Sequence, residues 1–195
     1  VENGRTYYVR TLRSGCETKA TVDFLVNQSP YAYDQVQNIC SDEADGDQAV
    51  VNLETYDSDI NGGTNDSVVW YEDDGYSSEV SDPTNVTVTD TMVFYPRVVK
   101  GMCYSDAVDT VIINPAPPAN DHSISVCSDD PGGTTATVDL TEYHDEIDDG
   151  NGFDIEWYKD SDLDSLISSE TAYTVSNGQI VYAQVDNTLC QDVAE

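Results

Sequence analysis

The chain has 195 residues, with 38 Asp or Glu against 7 Lys or Arg and a formal net charge of −31. Charge of that sign repels nucleic acid and anionic lipid, which argues against both as partners. No run approaches the roughly 18 apolar residues of a membrane-spanning helix, while 13 Tyr, two Trp and regular Val/Ile alternation argue for packed domains rather than disorder.

A shift of 87 positions lays the sequence on itself without a gap. Cys40 falls on Cys127, Trp70 on Trp157, Tyr95 on Tyr182 and Cys103 on Cys190, and Cys40 to Val108 gives 22 identities in 69 aligned positions. The same shift carries Tyr8 onto Tyr95 and Cys16 onto Cys103. A period of this length exceeds a solenoid unit, so each copy is expected to be a small domain. The expected organisation is the C-terminal part of a preceding repeat over 1–28, a complete repeat over 29–116, and a second repeat over 117–195 lacking its last strand. Because both ends fall inside copies, the chain is expected to be a window from a longer array.

In chain order, the apolar residues recur with period two, the signature of half-buried strands. A strand is predicted over 6–11, then another over 20–26, followed by a linker over 28–34. Ala49, Val51 and Leu53 alternate with polar residues, and Val68 and Trp70 are expected to face inward. A Tyr-bearing strand over 92–98, interrupted by Pro96, precedes a strand over 107–113 and a Pro-rich, extended linker over 115–121. The pattern then repeats with Ala136, Val138 and Leu140, the single helix candidate over 141–147, inward-facing Ile155 and Trp157, and a strand over 179–185. Val9, Phe94, Val181 and Val185 are expected in the core. Several short strands per copy, separated by Gly/Asp/Asn turns, predict an all-β sandwich.

The Cys…Trp…Cys order resembles that of immunoglobulin domains. In antibody domains a Tyr lies two residues before the second Cys, whereas Tyr95 precedes Cys103 by eight and Tyr182 precedes Cys190 by eight. The second cysteine is therefore expected beyond its strand, near a turn, giving an immunoglobulin-like fold with a displaced disulfide.

The five cysteines occupy two phases of the repeat, and two periodic pairings present themselves. Cys40–Cys103 and Cys127–Cys190, each 63 apart, would staple each repeat internally and leave Cys16 unpaired by truncation. Cys16–Cys40 and Cys103–Cys127, each 24 apart, would staple neighbours across a linker. The internal pairing is the expectation, since small domains gain from crosslinks and closing such a loop contributes about 4 kcal/mol in the chain-entropy model. Structural disulfides imply export.

No nucleophile–base–acid set recurs, and His122 and His144 stand at unrelated phases, so no catalytic residue is expected. Two acidic ladders space oxygen ligands as a calcium loop begins: Asp57, Asp59 and Asn61, and Asp160, Asp162 and Asp164. Position twelve of the first is Val68 rather than Glu, and neither ladder recurs in the other copy. Calcium is thus the one candidate cofactor. Asn65 and Asn85 head N-glycosylation triplets.

Cys127–Ser–Asp–Asp–Pro–Gly–Gly–Thr–Thr–Ala–Thr–Val–Asp–Leu–Thr141, then Trp157–Tyr158, Ala172–Tyr–Thr174, Val181–Tyr–Ala–Gln–Val185 and Cys190 resemble repeats of giant cell-surface proteins of Bacteroidota, including gliding-motility adhesins and other type IX secretion substrates. Leu53–Glu54 and Pro96 depart from the pattern. The resemblance implies an exported, non-catalytic filament or stalk at the cell surface. It also implies O-glycan acceptors in Asp–Ser/Thr–aliphatic triplets, here Ser67, Thr91, Thr110 and Ser165.

The expected function is a secreted, non-enzymatic structural fibre or adhesin of tandem repeats. Its partners would be neighbouring repeats of the same polymer, copies of itself in a fibre, and surface polysaccharide. A carbohydrate-binding array, or accessory domains of a secreted hydrolase, is the alternative.

Overall fold

The computed structural model of the chain describes residues 4–195. Among the described residues fifteen strands form and the helical segments are short turns, in keeping with the expected all-β class. The chain divides into two compact units, each assembled from separated segments.

The first unit comprises Val1–Gln35, Leu53–Ser81 and Phe94–Asp109. Its leading hairpin pairs β1 (Thr6–Arg13) with β2 (Cys16–Asp23) through a two-residue turn at Ser14 (φ +48°) and Gly15 (φ +83°). Positive φ at both central residues is the twist-matched hairpin turn. Every residue of the two strands is exposed. Val9, expected in the core, is 47% exposed, because neither face of this two-stranded ribbon is covered. The core of the unit is instead made by Leu53, Ile60, Trp70, Phe94 and Val98, all at most 2% exposed. A 3-10 turn, Leu53–Tyr56, runs into α1 (Asp57–Ile60), which sequence periodicity did not signal in this copy. The following sheet has the order β5 (Ser67–Val69), β8 (Arg97–Lys100), β9 (Cys103–Asp106). Pro96 lacks a backbone donor, and the Tyr-bearing strand accordingly breaks there, β7 (Thr91–Phe94) stopping before it and β8 starting after it.

The second unit comprises Val36–Asn52, Asp82–Val93 and Thr110–Glu195. Here β3 (Gln35–Ala44), β10 (Asp109–Ala116) and β7 form a sheet with β10 in the middle, and β4 (Gln48–Val51) pairs antiparallel with β6 (Val86–Thr89). The expected linker over 115–121 is not a free spacer. Ala116, Pro117 and Pro118 are buried, with the Ala116 N–H donating to Ser41 Oγ at 2.9 Å.

In the rest of this unit, β11 (Thr135–Val138) pairs antiparallel with β13 (Tyr173–Ser176). A three-stranded antiparallel sheet has the order β12 (Asp154–Tyr158), β14 (Tyr182–Asp186), β15 (Gln191–Ala194). Both sheets feed one core of Val138, Leu140, Ile147, Ile155, Trp157, Ile167, Ala183, Val185 and Ala194. Each fully buried aliphatic side chain contributes about 1.5–3 kcal/mol relative to exposure. Ile155 and Trp157 face inward around exposed Glu156, as their alternation predicts, and Ala183 lies opposite Trp157 across the ladder, a small residue beside the bulky indole. The helix candidate is realised as a 3-10 turn, Leu140–Tyr143, followed by α2 (His144–Ile147). Asp139 caps it by accepting from the Thr141 N–H at 3.0 Å, an ordinary N-cap bond.

Candidate functional site: a cysteine bridge between sequence repeats

The local architecture repeats at the atomic level. The Trp70 indole donates to Asp57 Oδ1 at 2.9 Å, and 87 positions on the Trp157 indole donates to His144 Nε2 at 3.2 Å. The Val80 N–H donates to the Trp70 carbonyl and the Ile167 N–H to the Trp157 carbonyl. Asp42 accepts from the Val50 N–H at 2.8 Å, and Asp129 from the Thr137 N–H at 3.0 Å.

On this frame the structure joins Cys40 to Cys190, 150 positions apart, with Cα atoms 5.6 Å from each other. That spacing lies in the ordinary range for a disulfide. The expected pairs Cys40–Cys103 and Cys127–Cys190 do not form, nor do Cys16–Cys40 and Cys103–Cys127; Cys16, Cys103 and Cys127 are free. The physical reason lies at the end of β10. Asn114 Nδ2 reaches Asn38 Oδ1 and the Ile39 carbonyl, each at 3.5 Å, which sets this end of the strand beside Cys40. Asn187 then donates its Nδ2 to the Pro115 carbonyl at 3.0 Å. Its Oδ1 accepts from the Leu189 and Cys190 N–H groups at 3.1 and 2.8 Å. The turn carrying Cys190 is thereby drawn onto the end of β10, where Cys190 is 1% exposed and its sulfur lies 3.7 Å from the Asn114 carbonyl oxygen.

The bridge therefore links the first-phase cysteine of the 29–116 copy to the second-phase cysteine of the next one. As the Tyr spacing predicts, the second-phase cysteine sits at a turn: Cys103 opens β9 directly after the Gly101–Met102 turn, and Cys190 immediately precedes β15. Cys103 has its sulfur 3.9 Å from the Asn27 carbonyl oxygen, the same relation shifted by 87 that Cys190 has to Asn114. Cys127 is exposed in a segment without regular structure.

Asp57, in the first acidic ladder, is occupied with the Trp70 indole, and burial raises its pKa above the ordinary value, the indole bond acting the other way. Asn61 is 5% exposed and donates its Nδ2 to the Asp66 carbonyl at 2.9 Å, while the Asp59 carbonyl accepts from Gln35 Nε2. In the second ladder Asp160 caps its own turn. Hydrogen bonds from Ser165 and from the Asp164 N–H hold its carboxyl below the usual range. Among the described residues no group of three or more His, Cys, Asp or Glu is placed to share a metal ion. The glycan candidates Asn65, Asn85, Ser67, Thr91 and Ser165 are exposed, and Thr110 is half-buried on β10.

One feature had no sequence signal beyond an Arg among tyrosines. Arg97 binds Asp106 in a fork, Nε to Oδ1 at 2.6 Å and Nη2 to Oδ2 at 3.1 Å. Its guanidinium carbon lies 4.0 Å from the ring centroids of both Tyr76 and Tyr104. One face of each of these two rings is thus covered by a side chain of the chain itself.

Residues 123–195 match the family model of the Flavobacterium inter-domain disulphide bond domain. No curated protein was found to match. Among solved structures, the I-band fragment I67-I69 from titin covers 97% of this chain and 72% of its own at 10% identity and a TM-score of 0.29. Titin Ig tandem domains A164-A165 cover 85% of this chain and 91% of their own at 12% identity and a TM-score of 0.21. Over 123–195 the chain is thus similar to a flavobacterial domain named for a disulphide bond between domains.

Proposed function

We propose that the chain is a non-catalytic, load-bearing segment of an exported fibre or adhesin, in which each repeat is covalently stapled to the next. The observation that carries this reading is the Cys40–Cys190 bridge. A crosslink spanning 150 positions leaves only the segments outside it able to extend under tension. Its persistence calls for an oxidising compartment, which supports a secreted or surface location. The matching settings of Cys103 against Asn27 and Cys190 against Asn114 support the same staple recurring along an array. Neighbouring repeats of the same polymer are then its first partners, and adhesion to a surface polysaccharide is a property of the assembled fibre.

Single-molecule stretching of the 195-residue chain, tethered at its ends, tests this. An extended residue spans at most about 3.3–3.6 Å, so reduction should release roughly 500 Å of contour length that the oxidised chain withholds. Superimposable force–extension curves with and without reductant would sink the proposal.

A further inference from the structure

Asn–Gly pairs begin at Asn3, Asn61, Asn151 and Asn177, the first of them outside the described residues. Such a pair can react with itself, because glycine has no Cβ to shield its nitrogen from the preceding carboxamide. The structure holds the other three in different states. Asn61 is 5% exposed, and its Nδ2 donates to the Asp66 carbonyl at 2.9 Å. Gly62 beside it is so closely packed that a Cβ there would fall 2.8 Å from Tyr33 Cε2. Asn151 is exposed, but its Nδ2 donates to the Asp148 carbonyl at 2.7 Å and its N–H to the same oxygen at 3.2 Å.

Asn177 is exposed, and among the described residues no group hydrogen-bonds its carboxamide. Its N–H donates to the Thr134 carbonyl at 2.9 Å, and the Gln179 N–H closes the turn onto the Ser176 carbonyl at 3.0 Å. Gly178 takes a φ of +75°, a conformation glycine adopts freely, with open space where a Cβ would stand. Asp90 occupies the same place 87 positions earlier, its N–H donating to the Asp47 carbonyl at 2.6 Å. Asp90 is exposed although β10 is in place there, so exposure at this position belongs to the turn itself. Aspartate thus already stands at this position of the repeat.

We propose that Asn177 is a site of spontaneous deamidation, reacting ahead of Asn61 and Asn151. The Gly178 nitrogen gives its proton to hydroxide and attacks Asn177 Cγ. The new Cγ–nitrogen bond forms as the Cγ–Nδ2 bond breaks, and Nδ2 leaves as ammonia with a proton taken from water. Water then adds to either carbonyl of the resulting succinimide ring, leaving aspartate or isoaspartate at position 177. At Asn61 and Asn151 the same attack first requires the Nδ2 bond to a main-chain carbonyl to break, and at Asn61 burial to be undone as well. Both therefore wait on local opening of the fold. The inference goes beyond the mechanical reading above and does not rest on it.

The test incubates the oxidised 195-residue chain in mildly alkaline buffer, once folded and once in denaturant, and follows each Asn–Gly pair by peptide mass spectrometry. In the folded chain position 177 is expected to convert about tenfold or more faster than 61 or 151, with aspartate and isoaspartate both formed. In denaturant the three rates should converge, because the difference is one of local protection. Equal rates in the folded chain, or a faster one at 61 or 151, would overturn the proposal. So would a position 177 that converts in denaturant and stays amidated in the folded chain, since the turn would then protect it. A lead of 177 that persists undiminished in denaturant would overturn it too, because the fold would then have no part in the order.

Discussion

The Cys103 sulfur lies 3.9 Å from the carbonyl oxygen of Asn27, and it remains a thiol. Shifted by 87 positions, the same relation holds between Cys190 and Asn114, and there the sulfur is bonded to Cys40. Non-reducing peptide mapping of the 195-residue chain should therefore yield a Cys40–Cys190 crosslinked pair, with Cys16, Cys103 and Cys127 alkylated. A Cys40–Cys103 peptide would contradict the structure.

Removing the bridge should lower stability without erasing the sheets. For a loop of this size the chain-entropy model gives on the order of 4–5 kcal/mol, where the linked segments unfold together. Cys40→Ser is expected to lower the thermal midpoint by a similar amount to reduction of the wild-type chain. Reductant should then have no further effect on the variant.

The indole of Trp157, 3% exposed, depends on His144 for its acceptor. His144→Leu leaves a buried donor unsatisfied and should cost about 1–3 kcal/mol. His144→Asp should recover most of that loss, because Asp57 serves Trp70 in the same position of the other copy. Denaturant unfolding followed by tryptophan fluorescence reads both. Equal losses in the two variants would show that the ring stacking of His144 on Trp157, with centroids 6.2 Å apart, matters more than the hydrogen bond.

Arg97 combines a forked carboxylate bond with two aromatic contacts. A partly exposed ion pair contributes up to about 1 kcal/mol, and a cation on an aromatic face about 0.5–1 kcal/mol at exposed sites. Arg97→Ala should thus cost about 1–2 kcal/mol. Arg97→Lys should recover less than half, since an ammonium cannot form the fork. Chemical denaturation midpoints of the three proteins decide it.

The carboxylates divide into two groups with opposite pH behaviour. Asp73, Asp160 and Asp186 have pKa values below the ordinary 3.8. The leading causes are the Ser78 N–H, the Ser165 side chain and the Gln191 side chain, respectively. Their contribution is present above the unfolded value and is lost as pH falls through the lowered folded values. Asp57 is raised by burial, so its contribution is full below the unfolded value and is lost as pH rises through the raised folded one. Carboxyl-carbon NMR titration should find Asp57 the last of the four to ionise as pH increases. Titration of Asp57 below Asp73 would contradict the burial argument.

The period-two alternation by itself determined which residues of the recurring strands face inward; Ile155–Glu156–Trp157 and the buried Val185 stand where that reading puts them. The 87-residue period determined that Trp70 and Trp157 share one setting. Only the tertiary structure decided the disulfide partner. Cys40 has second-phase cysteines at offsets of −24, +63 and +150 (16 − 40, 103 − 40, 190 − 40), all equally periodic. Sequence spacing carries no information about which of them space brings near. The choice was made by hydrogen bonds between residues distant in sequence, Asn114 to Asn38 and Asn187 to Pro115, which bring the Cys190 turn against the end of β10. The exposure of Val9 has the same origin, since alternation marks a face as apolar and only a second layer can bury it.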